Sequence, residues 1–454
     1  MSALRAAAFL LAALLAGCGG DVGTLEVSLV TAPDSTLTDD VQRLRVTLTE
    51  PPTVVDALRT ADGFAIDLEV TAQGITGYIE IEGFDGDGNR IAFGRSGPLP
   101  IAAIDAVISI YLGAPLSIDA APEGLEPARS EMAVTPLSYG VVFAGGRDAA
   151  GAPADNLAIY NIYDHALQIG EDMPVARAQA TAMTGSQGAV FVFGGLNADD
   201  QATADLWFFD TNVAPAGAWA DLPSDPALAR AGSVSAPIGF DQFIVAGDPL
   251  VSIDGIVGRA DPVGGAPTIQ GGNTTIGTAV ILNDIPNTLF AGAGAGTTGA
   301  VLFTLNGVAT ELDTAPAELS RTGHGAAVLP DGDTVIVGGS TLAELPASAV
   351  RYHVRDRDFT IVPGVLATPR TEAAVAATGS HVVIAGGRDG TGQVLADAEV
   401  LDADTLERIA VLPLRVPRAG AAARSLGNGQ ILIGGGVDAA GAPIATLELF
   451  TPSE

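Results

Sequence analysis

Residues 141–151 read VVFAGGRDAAG, and residues 382–392 read VVIAGGRDGTG. An apolar run, a glycine pair, an arginine and an aspartate thus recur about 240 residues apart. Working outward, related runs end at Gly146 (VVFAGG), Gly195 (VFVFGG), Asp248 (FIVAGD), Gly294 (TLFAGAG), Gly339 (TVIVGG), Gly387 (VVIAGG) and Gly436 (ILIGGG), roughly fifty residues apart. A second marker keeps the same beat. Arg129, Arg177, Arg230, Arg321, Arg370 and Arg418 each precede one of these runs, usually just after a proline-containing turn, and the beat is missing near Thr275. Two independent markers with one period indicate a repeat. The β-branched and aliphatic residues suit a strand buried on both faces. Glycines suit places where backbones crowd or where a dihedral excludes a side chain. The Asp-x-x-Gly that follows suits a turn. Recurrence therefore points to a repeated structural task.

Composition agrees with strands joined by turns. The chain of 454 residues holds 57 Gly and 28 Pro, too many interruptions for long helices, and is 48% hydrophobic with only 5% aromatics. A period near fifty with a glycine pair closing a β run resembles the kelch repeat, in which each repeat is one four-stranded propeller blade. The second repeat carries the resemblance best, with Trp207 and Trp219 in ADLWFFDTNVAPAGAWADLP. Tyr160, Tyr352 and Phe450 keep parts of the pattern, and residues 230–320 depart from it most. The resemblance spans about 325 residues and implies seven blades over 129–454. The last repeat stops at ELFTPSE, before any fourth strand, so a strand near 116–123 is expected to complete the last blade and close the ring.

Upstream, TLEVSLV, RLRVTLT, FAIDLEV, GYIEIEGF, RIAFG and AVISIYL alternate apolar and polar residues at period two. They predict an immunoglobulin-like or transthyretin-like β-sandwich over 24–113. Residues 114–128, rich in Ala and Pro, read as a linker that includes the ring-closing strand. The fold class expected is thus all-β, a sandwich followed by a seven-bladed kelch-like propeller.

The chain opens MSALRAAAFLLAALLAGCGG: one charge at Arg5, then an apolar run too short to cross a bilayer as a helix. Leu15-Ala16-Gly17-Cys18 resembles the lipobox of bacterial lipoproteins. That resemblance implies a signal peptide over 1–17, diacylglycerol on Cys18, a tether over 18–23, and a cell-envelope protein anchored in the membrane by lipid. Gly19 after the cysteine favours the outer membrane by the same resemblance. Cys18 is the single cysteine, so the remainder of the chain has no disulfide.

Acidic residues number 53 against 21 basic ones, all of them Arg, for a net charge of −32. Such a charge repels phosphate backbones, so no nucleic-acid partner is expected. Without lysine there is no Walker loop, and the GxGxxG at 294–299 precedes a strand pattern rather than a helix, so no nucleotide is expected either. Asp85-Gly-Asp87-Gly-Asn89 reads as a hairpin turn rather than a calcium loop, since Arg90 and Ser96 stand where an EF-hand wants Gly and an acid. His165, His324, His353 and His381 lack metal-ligand spacing, and no cofactor is expected.

The recurring arginines allow two readings. Kelch topology places them near the loops joining consecutive blades, where some family members grip acidic ligands with arginine. The favoured reading is structural, each guanidinium pairing with a carboxylate or carbonyls of the adjacent blade. The resemblance implies a noncatalytic role in binding a protein or a polysaccharide. The alternative is a carbohydrate-active kelch enzyme, such as a sugar epimerase or mutarotase, acting at the propeller mouth.

Overall fold

The computed structural model describes residues 9–14, 24–50, 52–60, 63–64, 76–100, 106–239, 241–246, 250–255, 257, 259–263, 275–281, 285–291, 300–304, 309–312, 314–341 and 343–453. The chain is all-β. Among the described residues, helix is confined to one short α-turn, Leu37–Asp40, and three single 3-10 turns.

From residue 133 onward, strands follow one another in antiparallel sheets of four. Sheet 1 runs Ala133–Leu137, Gly140–Ala144, Leu157–Asn161 and Ala166–Ile169, each strand paired with the next. Sheets 2 to 6 repeat this order, beginning at Thr181–Thr184, Ser235–Gly239, Thr275–Ile281, Thr322–Val328 and Ala374–Ala377. Sheet 7 takes three strands from the end of the chain, Ala422–Ser425, Ile431–Gly434 and Glu448–Thr451. Its fourth, outermost strand is Ser117–Ala120, which pairs antiparallel with Glu448–Thr451. The described residues thus form seven four-stranded sheets beyond the N-terminal region. The first strand of each sheet packs beside the first strand of the next, and that of sheet 7 beside that of sheet 1. This closed succession is consistent with a β-propeller.

Burial follows position in the sheet. The second strands Gly140–Ala144, Ala189–Phe193 and His381–Ala385 are buried at every residue, which explains their unbroken aliphatic and aromatic runs. Fourth strands such as Ala166–Ile169 face solvent. The apolar cores lie between neighbouring sheets: Val142, Ile159, Val190, Trp207 and Phe209 fill the gap between sheets 1 and 2, and Val383, Val400, Ile431, Ile433 and Phe450 that between sheets 6 and 7.

The repeated glycine pair has two causes acting together. Gly145 and Gly146 hold φ of 60° and 107°, and Gly386 and Gly387 hold 62° and 98°, a region that a side chain disfavours. A Cβ on Gly146 would also sit 2.4 Å from the Ser130 carbonyl oxygen, and one on Gly387 2.5 Å from that of Thr371. The aspartate that follows turns the chain back: Asp148 Oδ1 accepts from Ala150 N and Ala152 N, and Asp389 Oδ1 from Thr391 N and Gln393 N.

The N-terminal region holds a five-stranded antiparallel sheet in the order Gly63–Phe64, Thr53–Thr60, Arg43–Leu48, Ile79–Phe84, Arg90–Arg95. A three-stranded sheet joins Thr24–Val30 to Ala106–Tyr111 in parallel and to Phe9–Leu14 in antiparallel fashion. Val27, Leu44, Val46, Ile79, Ile81, Ile108 and Ile110 share one apolar core. Cys18, the expected lipidation site, and the GxGxxG at 294–299 lie outside the described residues. Asp85 spans a hairpin turn, its Oδ1 accepting from Asp87 N and Asn89 N, so its carboxylate is engaged by the backbone.

This region is seated on sheet 1. Tyr163 Oη donates to Pro98 O at 2.5 Å, and Ser109 N to Tyr163 O at 2.6 Å. His165, fully buried, accepts at Nε2 from Tyr111 N (3.2 Å) and meets the Tyr160 hydroxyl through Nδ1 (2.8 Å). An Nε2 that accepts fixes the neutral tautomer with its proton on Nδ1.

Candidate functional site: the central channel and its mouth

Five of the six marker arginines are buried: Arg129, Arg177, Arg321, Arg370 and Arg418, each 5% exposed or less. Arg230 is partly buried. Each precedes the first strand of its sheet, and in five of the six the guanidinium reaches a carbonyl at the bend that follows the second strand. Arg129 Nη1 donates to Gly145 O and Asn156 O, both at 2.6 Å, Arg230 Nη1 to Ala246 O at 2.9 Å, and Arg321 Nη1 to Gly338 O at 2.9 Å. Arg370 Nη1 donates to Gly386 O at 3.1 Å, and Arg418 Nη1 to Gly435 O at 3.2 Å. Arg177 departs from the set, bonding Ala176 O, Thr203 Oγ1 and Asp205. These bonds lie within the arginine's own sheet, which corrects the expectation that the guanidinium crosses to the neighbour. The backbone makes that crossing instead. The carbonyls of Arg177, Arg230, Arg370 and Arg418 accept from Gly146 N, Gly195 N, Gly339 N and Gly387 N of the preceding sheet, at 2.6 to 2.8 Å. Glycine pair and arginine are therefore two halves of one clasp.

Charge is met differently in different sheets. Arg370 Nη2 pairs with buried Glu399 at 2.9 Å, and Arg418 Nη2 with buried Glu448 at 2.5 Å. Arg177 lies 5.3 Å from the centre of the Trp207 ring. Arg129 and Arg321 bond carbonyls instead, and burial pushes both guanidinium pKa values down to about 10.

Two residues after each arginine stands a residue in the left-handed conformation: Glu131 (φ 52°), Gln179 (52°), Gly232 (60°), Gly323 (66°), Glu372 (57°) and Gly420 (67°). Each lies where one sheet hands the chain to the channel wall. Gln179 N donates to Glu131 O, Gly232 N to Gln179 O, Glu372 N to Gly323 O and Gly420 N to Glu372 O, at 2.7 to 2.9 Å. These bonds form a crown stitching consecutive sheets around the mouth. Glu131 in the crown pairs with Arg147 at 2.8 Å and accepts from the Gln179 amide at 3.0 Å; Arg147 also pairs with Asp200 at 2.6 Å. Glu372 pairs with Arg388 at 3.1 Å. The arginine of each GGRD motif thus stands at the mouth, beside its carboxylate partner.

Below the crown lies a channel cavity of about 590 Å³, lined by the first strands of six sheets, with Ala182, Ser235, Ala326 and Val375 among its walls. His324 stands on this wall; His353 is engaged by Asp333 and Thr360, and His381 by Ser380. The charged lining residues among those described are Glu131 and Arg424. Arg424 crosses the seam where sheet 7 meets sheet 1: Nη2 donates to Val134 O and Nη1 to Ala423 O, each at 2.8 Å. Burial lowers its pKa, and among the described residues no carboxylate offsets that effect.

Residues 369–408, the clasp and three strands of sheet 6, match the family model for the Kelch motif. No curated protein matches the chain. Sequence reasoning finds the marker arginines but misses the crown, because Glu, Gln and Gly share its position and leave no common letter. It also passes over Arg147, Arg388 and Arg424. The two GGRD motifs signalled the first pair; Arg424 carries no sequence signal.

Proposed function

We propose that the chain is a lipid-anchored cell-envelope binding protein that presents the mouth of a seven-bladed kelch-like propeller, residues 129–454, to a protein partner. In this reading Cys18 carries the lipid after removal of residues 1–17, which takes the edge strand Phe9–Leu14 from the three-stranded sheet, and 18–23 form the tether. Residues 24–113 are an immunoglobulin-like or transthyretin-like sandwich acting as spacer, and 114–128 link the domains and supply the closing strand. The outer membrane is the expected location.

The observation that carries the reading is the loops of sheets 1, 2, 6 and 7 at the mouth, each locked by a side-chain-to-backbone turn at Asp148, Asn197, Asp389 or Asp438. Loops already held in one conformation lose little entropy on docking, and loops on a rigid scaffold are where recognition residues collect. Arg147 with Asp200, and Arg388 with Glu372, offer exposed charge of both signs. Such mixed charge suits a protein surface, and the Kelch motif with repeated four-stranded sheets supports a role in protein interaction.

The test is affinity capture from envelope extract with residues 21–454 as bait, beside the same bait carrying Arg147→Glu and Arg388→Glu. A partner held by the first bait at moderate salt and lost from the second is expected. Equal capture by both moves the binding face elsewhere, and turnover of uronic or sialic acid sugars without any captured protein supports an enzyme instead. Labelled palmitate entering the full chain but not its Cys18→Ser variant checks the anchor.

A further inference from the structure

Arg424 is the one charged group in the wall of the channel whose charge the described residues leave unbalanced. Its neighbours on the seam are backbone carbonyls, Val134 O and Ala423 O. The other charged lining residue, Glu131, is engaged at the mouth by Arg147 and Gln179. A guanidinium has five N–H donors, and two carbonyls leave several of them for another acceptor. A partly buried cation without a counter-charge is unfavourable, and an anion beside it relieves that cost.

We propose that the channel binds a small monocarboxylate, with its carboxyl group on Arg424 and its hydrocarbon body against the alanine and valine wall. The class follows from three features. One unbalanced positive charge balances one negative charge, so a dianion such as phosphate or a dicarboxylate would carry a surplus charge into the channel. The planar guanidinium matches a carboxylate through parallel hydrogen bonds. Val134, Ala182, Ala326, Val375 and Ala421 place small apolar patches on a wall that also carries the polar groups of Thr181, Ser233 and Ser235, and about 590 Å³ is within the range of small-molecule sites. The site lies below the mouth and does not depend on the protein-binding reading above.

The test is calorimetric titration of the full chain with acetate, butyrate and hexanoate, at about 0.15 M salt so that the net negative charge is screened. Hexanoate is expected to bind more tightly than acetate, and Arg424→Gln to weaken it by at least about tenfold, the scale of a lost charge-assisted hydrogen bond. Arg259→Gln, on an exposed outer strand, is expected to bind as the unaltered chain does. Equal hexanoate affinity in Arg424→Gln, no binding by the unaltered chain, or phosphate binding as tightly as hexanoate overturns the proposal. A measurement without any variant guards against misfolding of Arg424→Gln. Phenylglyoxal modification of Arg424, read by mass spectrometry, is expected to slow when hexanoate is present; an unchanged rate overturns the assignment.

Discussion

A buried guanidinium must have its charge met, and in this protein one position in the third strand decides how. Two residues beyond Asn156, Asp205, Ser348, Asp397 and Thr446, each of which accepts from its own sheet's arginine, stand Ala158, Trp207, Val350, Glu399 and Glu448 in sheets 1, 2, 5, 6 and 7. The electrostatics of the clasp change from an ion pair with a buried glutamate, to an ion pair with half-exposed Asp205 beside the Trp207 ring, to carbonyls alone. Glu448→Ala is expected to cost about 3–5 kcal/mol in urea unfolding, because it strands the Arg418 charge in a dry interior. The double change Arg418→Leu with Glu448→Leu is expected to cost less than Glu448→Ala alone, since no buried charge is left unpaired. A double variant as unstable as the single one would show that shape, not charge, dominates the clasp.

At the level of the strand and its bend, position rather than residue type sets the cost of a substitution. Gly146→Ala meets both a positive φ and the Ser130 carbonyl, whereas Gly392→Ala meets a φ of 85° with open space around it. The second is expected to cost roughly 1–2 kcal/mol for the dihedral alone, and the first clearly more; chemical denaturation ranks them. The all-β character and the repeat were legible in the sequence because strand burial imposes aliphatic runs and the bend imposes glycine. The arginine's recurrence was legible too; its side chain serves its own sheet and its carbonyl the preceding one. The crown was not legible. A left-handed residue at the mouth is required for its backbone, so Glu131, Gln179 and Gly232 satisfy the same demand with unlike side chains. Nor could Arg424 be read, since its partner Val134 O lies 290 residues away and meets it only when the ring shuts.

For the molecule as a whole, two pH and salt dependences follow. His165 sits where the N-terminal region meets sheet 1, and burial lowers its pKa from 6.5 to about 3. The unfolded chain therefore takes up this proton first as pH falls. The stability His165 contributes is full above about 6.5 and is lost progressively as pH drops from there toward about 3. By pH 5 the loss is about 2 kcal/mol, and His165→Gln is expected to flatten the acid limb of a plot of unfolding free energy against pH. An unchanged limb would mean that other groups govern acid unfolding. The net charge of −32 adds self-repulsion, so Tm is expected to rise as sodium chloride goes from about 0.01 to 0.5 M, where the Debye length shrinks several-fold. A flat Tm would show that acidic side chains are spread too thinly to repel.

Ser117–Ala120 leaves the N-terminal region and at once becomes the rim strand of a sheet whose other strands end the chain. Once the contacts of Tyr163 and His165 with the N-terminal region have given way, a pull between the two regions is delivered along the chain to these four residues before it reaches the rest of the circle. Traction along the strand loads its ladder of hydrogen bonds with Glu448–Thr451 in shear, all together, whereas a sideways pull would peel them one by one. The latch that shuts the circle is also its mechanical fuse.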